Sequence, residues 1–144
     1  MNLVSKVENT NVSQIAFGKQ LGLDLEGKSV GVARAEIDDA LAIGFYGEAD
    51  LGRPSAKQCA LAEKFGTDIS GMSKLVGSAV IDDIMHQLNV DAIERHQLGP
   101  GVAVRHPGRP HDHNLVVSSI AADGTVYFKG GNGQRAWARS LERR

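Results

Sequence analysis

The sequence predicts an α+β chain, with an N-terminal helical region built from two similar two-helix units and a small antiparallel β-region after it. Three observations predict this. A stretch of 29 residues recurs at an offset of 44. Helix signals stop at Gly99-Pro100-Gly101. Beyond that break, short apolar runs alternate with turn residues. The chain of 144 residues accordingly divides into a helical domain, 1–97, and a basic β-domain, 98–144. The helical domain holds units at about 11–43 and 55–90.

The repeat aligns Gln14 to Ala42 with Gln58 to His86 without gaps. Asn11 and Ser55 suit N-caps, and Gln14 and Gln58 three residues on complete a capping box, in which the cap side chain and the third residue satisfy each other's amides. Pro54 sharpens the second start. Phe17 and Leu21 in one copy, and Leu61 and Phe65 in the other, lie on one helical face at i, i+4. Gly22 and Gly66 fall where a left-handed residue ends a helix. A short extended link follows, Leu23-Asp24-Leu25 against Thr67-Asp68-Ile69, its apolar residues packing between helices.

Ser29 and Ser73 open the second helix of each unit. Val80, Ile81, Ile84, Met85 and Leu88 form its apolar stripe in one copy, with Ile37, Ala40 and Leu41 at matching places in the other. A single unit cannot bury such a stripe, so the two pack together as a helical bundle. Between them Phe45-Tyr46 is expected to plug the junction. Asp38-Asp39 and Asp82-Asp83 repeat in register. Adjacent carboxylates on a helix diverge by about 100°, so they rarely share one ion. A solvated face is the expected role.

After a last helical stretch near Asp91 to His96, strands are expected over Val102–His106, Leu115–Ala121, Thr125–Lys129 and Arg135–Ser140. Asp123-Gly124 signals a tight turn and Gly130-Gly131-Asn132-Gly133 a looser one. Alternation points Val126, Phe128, Ala136 and Ala138 inward. It leaves Tyr127, Lys129, Arg135, Trp137 and Arg139 on the outer face. Arg105 and Arg109 enlarge this cationic set. Rings interleaved with cations suit nucleic acid, since rings stack on bases while cations meet phosphates. The same residues would equally make a protein hot spot, and Trp137, the single Trp, is as well suited to a core.

Charge divides along the same line. Residues 1–100 carry nine Lys/Arg and fourteen Asp/Glu, and residues 101–144 carry seven and three, so a net −5 faces a net +4. Such asymmetry accompanies anionic partners, or two ends of one protein attracting each other. No Walker loop, nucleophile elbow or HExxH motif is present, so no enzyme and no cofactor are expected. His106, His111 and His113 lack the second cluster of a structural zinc site. A polar turn is the expected role, with a three-ligand metal site of a hydrolase as the lesser alternative. Cys59, the single cysteine, suits a reducing cytoplasm and a small core position. No run of 18 apolar residues exists, so no membrane partner is expected.

The pattern Pro-Ser-Ala-Lys-Gln at 54–58, Gly-Thr-Asp-Ile-Ser at 66–70, Ser73-Lys74 and Ile81-Asp82-Asp83 resembles a short helical motif of phage and mobile-element proteins. Its helix, extension, helix layout also resembles SAP-type DNA-binding modules. The units lack the clustered Lys/Arg of a SAP surface, which shifts the expected contact to the β-domain. That domain, with its closing Ala136-Trp137-Ala138-Arg139-Ser140-Leu141, resembles a small SH3-like barrel of the Tudor or KOW kind. The resemblance implies a non-catalytic accessory protein that binds DNA or RNA. The alternative is a module or inhibitor, for example an anti-defence factor, docking on a host protein complex. The helical repeats would offer a homodimer surface.

Overall fold

The computed structural model describes residues 8–130 and 133–144. Gly131 and Asn132 of the expected glycine-rich turn therefore lie outside the described residues. Four helices come first: α1 (Val12–Gln20), α2 (Val30–Tyr46), α3 (Ala56–Lys64) and α4 (Lys74–His96). Five strands follow: β1 (Ala103–Arg105), β2 (Leu115–Ile120), β3 (Thr125–Phe128), β4 (Arg135–Trp137) and β5 (Glu142–Arg143), with a one-turn 3₁₀ helix, Ala138–Ser140, between the last two. The chain divides into two compact units, one of residues 7–84 and one containing residues 85–144. The division falls inside α4, which runs unbroken from Lys74 through the stretch at Asp91 to His96.

In the helical unit the local signals operate as the residues dictate. Asn11 and Ser55 each close a complete capping box with Gln14 and Gln58. Gly22 and Gly66 take φ of +78° and +83°, which ends α1 and α3 without the Cβ clash another residue would meet. Asp24 and Asp68 then accept the backbone N–H two residues on, from Glu26 at 3.2 Å and Ser70 at 2.9 Å. These turns drop Leu25 and Ile69 into the interior, both essentially fully buried.

The faces of the short helices differ from expectation. Phe17, Leu61 and Phe65 remain partly exposed, and the buried positions are Gly18 and Ala62. Close approach explains Gly18: a Cβ there would meet Leu25 Cδ1 at 2.5 Å. The core of this unit gathers Leu25, Ala33 and Ile37, with Leu21, Leu23 and Leu41 against them. Phe45 and Tyr46 plug nothing. They end α2 at 74% and 80% exposure.

The repeated acids also have a different role. Asp39 accepts a hydrogen bond from the Ser73 hydroxyl at 2.5 Å, and Asp83 accepts one from Ser29 at 2.5 Å. Both serines are caps, accepting Val76 N–H and Val32 N–H at 3.1 Å each. Each long helix therefore holds the other's first turn through one carboxylate. Asp38 and Asp82 stay exposed.

The second unit is a five-stranded antiparallel sheet in the order β4-β3-β2-β1-β5. Val104, Leu115, Val117, Val126, Phe128, Ala136, Ala138 and Leu141 point into its core, which Val90 and Ile93 of α4 and Leu98 complete. Each fully buried Val, Leu or Phe contributes about 1.5–3 kcal/mol relative to exposure. A closed barrel was the expectation, but β4 and β5 stand at opposite edges and no ladder joins them among the described residues. β5 is short, two residues that pair with β1 alone. No helix among the described residues is long and apolar enough to cross a membrane.

Candidate functional site

The period of two in β3 and β4 sorts their side chains. Val126, Phe128, Ala136 and Ala138 are buried, while Tyr127, Lys129, Arg135 and Trp137 are exposed. Register places Tyr127 opposite Arg135 and Thr125 opposite Trp137. Thr125, Tyr127, Arg135 and Trp137 thus share one face, with the two rings as diagonal neighbours. Tyr127 is 38% exposed and Trp137 43%, high values for large rings on a packed sheet.

A groove of about 500 Å³ lies over this face. Its walls are Tyr127, Trp137, Thr125, Arg135 and Ala136 from the strands, Asp123 from the β2–β3 turn, Ser140 from the 3₁₀ helix, and His106 and Arg109 from the β1–β2 loop. Arg109 ties that loop to β4, its guanidinium donating to the Arg135 carbonyl at 3.2 Å. The loop itself turns back through Arg109 N–H on the His106 carbonyl and Asp112 N–H on the Arg109 carbonyl. Proline and glycine at 107, 108 and 110 supply the bends.

Arg139 supports the groove from outside its walls. Its guanidinium carbon lies 4.8 Å from the Trp137 ring centroid, a cation–π contact. Partial burial pulls this guanidinium below its ordinary pKa, yet an arginine keeps its charge in a protein. Asn89 of α4, 1% exposed, holds Arg139 in place. Its Oδ1 accepts Arg139 N–H at 3.0 Å and the guanidinium at 3.4 Å, and its Nδ2 donates to the Asp123 carbonyl at 3.4 Å. Gly124 takes φ +90°, and a Cβ there would meet Asn89 at 2.5 Å, so only glycine lets the turn approach.

Asp123 is the groove's one carboxylate among the described walls. The Thr125 N–H donates to its Oδ1 at 2.9 Å. That bond, a second from the Thr125 side chain and a smaller Coulombic contribution from His86 hold the carboxyl below the usual carboxylate range, against a modest desolvation. It stays ionised in a groove that also holds the Arg109 and Arg135 cations.

Of the residues expected at a site, Tyr127, Arg135, Trp137 and Arg109 meet in this groove and Arg139 backs it. Lys129 is exposed just past β3. Arg105 is not with them: it pairs with Glu142 across β1 and β5, donating from Nε at 2.8 Å. His106, Asp123, Thr125 and Ser140 were not foreseen as walls. The Asp123-Gly124 turn was a legible sign for one of them. His106, His111 and His113 form no metal cluster: among the described residues, no three His, Cys, Asp or Glu side chains are placed to hold an ion. Comparisons with known protein families, curated proteins and solved structures return no match.

Proposed function

We propose that this chain is a non-catalytic nucleic-acid-binding accessory protein that takes a single strand into the groove over β3 and β4. The observation that carries the reading is the exposed pair Tyr127 and Trp137 sharing one groove with Arg109 and Arg135. Rings exposed this far gain most from covering by another planar group, and stacking contributes about 1–3 kcal/mol per base. The guanidinium groups then meet phosphates. Arg139 favours a base over a cationic peptide, because one cation already draws on the indole quadrupole.

The sheet order, the long β1–β2 loop folded toward β4 and the 3₁₀ turn before β5 support an SH3-like layout of the Tudor or KOW kind, left open between its edges. The helical unit is read as a duplicated, SAP-like helix-extension-helix. Caps, left-handed glycines, buried link residues and Ser–Asp bonds recurring at the offset of 44 support the duplication. Its role is scaffold, in a protein of phage or mobile-element type working in the cytoplasm.

A mobility shift with single- and double-stranded DNA and RNA across a salt series tests this. Single strands bind, and affinity falls with salt. Trp137→Ala weakens binding about ten- to a hundredfold. Arg135→Ala lowers the salt slope by about 0.7, the contribution of one phosphate contact to a single strand. No shift at low salt refutes the reading. One feature favours the second reading, a docking module for a host protein: Ile43, Phe45 and Tyr46 are all exposed along the end of α2. Wild-type binding to no nucleic acid would move the assignment there.

A further inference from the structure

The groove combines two aromatic walls with a single ionised carboxylate, and that combination bears on which base enters. Tyr127 and Trp137 are diagonal neighbours on one sheet face. Both rings are exposed enough to stack on a planar base. Asp123 lines the same groove, fixed by Thr125. A carboxylate accepts about four hydrogen bonds. The Thr125 N–H and side chain use part of that capacity and leave the rest for a ligand.

An ionised carboxylate accepts only, and it wants two donors side by side. Among the four bases, guanine alone offers adjacent donors on its Watson–Crick edge, N1–H and the N2 amino group. Adenine and cytosine set a ring acceptor beside their amino group, and uracil flanks its one N–H with two carbonyls. Each of those acceptors would face the Asp123 oxygens and be repelled. An unpaired base exposes this edge, as single-strand readers exploit. The adjoining Hoogsteen edge of guanine carries O6 and N7, acceptors suited to a guanidinium such as Arg109 or Arg135.

We propose that the groove selects an unpaired guanine, stacked on its aromatic walls Tyr127 and Trp137 and read by the Asp123 carboxylate. This rests on the nucleic-acid reading above and adds base identity to it. The shared chemistry is the guanine edge, carried either in a strand or by a free nucleotide.

The test is fluorescence anisotropy on the full chain, using short labelled oligouridines that differ only in one central base. A central guanine binds about tenfold or more tighter than adenine, cytosine or uracil, the discrimination of one good bidentate pair. Inosine, which lacks the N2 amino group, falls between guanine and uracil. Asp123→Asn keeps the turn, since asparagine serves the same local bond, and it abolishes the guanine preference. Were that variant to lose all binding through misfolding, the inosine series on the wild-type chain decides alone. Competition by guanosine monophosphate identifies the free nucleotide as a sufficient ligand. Its absence places the guanine within a strand, and both results support the selection. Equal binding of all four central bases overturns base selection and leaves strand binding standing, as does a guanine preference undiminished in Asp123→Asn. Absence of binding to every strand overturns both.

Discussion

Replacing Ser29 with aspartate separates two accounts of the helical unit. Viewed as an N-cap alone, Ser29 can become Asp at no cost. Asp ranks with Ser as a cap, and its charge at a helix N-terminus adds about 0.3–1 kcal/mol. The structure makes the opposite forecast, because the Ser29 hydroxyl also donates to Asp83 at 2.5 Å. Aspartate removes that donor and sets two carboxylates against each other. A hydrogen bond to a charged group contributes about 1.5–3 kcal/mol. Two like charges about 4 Å apart near a surface repel by up to about 4 kcal/mol, less after the side chains rotate away. A loss of about 2–4 kcal/mol remains after the favourable cap is deducted.

Asparagine is the matching control. It caps as well as Ser and its amide can donate to Asp83, so Ser29→Asn stays within about 1 kcal/mol of the parent. Ser73 donates to Asp39 in the same way, so Ser73→Asp and Ser73→Asn reproduce the pair of results. Urea denaturation followed by far-ultraviolet circular dichroism reads all four variants. A Ser29→Asp protein as stable as the parent at pH 7 refutes the cross-helix bond and returns Asp83 to a solvated role.

Three other outcomes follow from the sheet unit and the turns. Gly124→Ala adds left-handed strain and a clash with Asn89, for about 2–4 kcal/mol in chemical denaturation. Gly133→Ala, at φ +72° but with nothing within 4 Å, costs only about 1–2 kcal/mol of strain. Equal losses would mean the Asn89 contact is not tight. Asn89→Ala leaves the Arg139 N–H without its acceptor and frees the guanidinium from the indole, so stability falls by about 2–4 kcal/mol. Trp137 fluorescence of the folded variant should change with it, and an unchanged spectrum argues against that arrangement. Asp68 and Asp123 both have carboxyl pKa values lowered in the fold, Asp68 chiefly by the Ser70 hydroxyl and Asp123 chiefly by the Thr125 N–H. Their contributions are present above the unfolded value of about 3.9 and vanish as pH falls through the folded one. Asp123→Asn therefore flattens the acid limb of a stability-against-pH curve, and an unaltered limb contradicts the bond.

Signals that act within one turn or one strand were legible before any coordinates. Asn11, Ser55, Gly22 and Gly66 are read from neighbours three or four residues away, and the fold uses them as read. Alternation through β3 and β4 placed Tyr127, Arg135 and Trp137 outward for the same reason, since sidedness in a strand has a period of two. What failed depends on distance along the chain. The acids at 39 and 83 look like a solvated face because their partners lie 34 and 54 residues away. Arg105 looks available until β1 pairs with β5 and delivers Glu142 to it. The aromatic rings of α1 and α3 look like core because periodicity gives a face without saying how closely the next element approaches. Gly18 is buried there because the following link passes too near for a Cβ, and Ala62 is buried at the matching position of α3.

Asn89 shows why the groove's support was the least legible part. A polar residue in the apolar register of a helix is ordinarily read as a boundary of the stripe, yet this one is 1% exposed. Its burial is tolerable because the side chain is bonded on both sides, to Arg139 and to the Asp123 carbonyl. Those partners flank the paired start of β3 and end of β4, beside the groove's carboxylate and its cation-backed indole. One buried amide thus holds both the turn that carries the acceptor and the arginine that backs the indole. Polar groups buried and bonded in this way set geometry more than they add stability. A groove that reads a base needs that rigidity, because a bidentate contact is lost when either partner shifts by about 1 Å. An Asn89→Asp variant puts this to the test, since the carboxylate still accepts from Arg139 but cannot donate to the Asp123 carbonyl. It should keep the Trp137–Arg139 contact, and with it oligouridine binding, while the guanine preference declines. A variant that loses both together would show Asn89 acting only through stability.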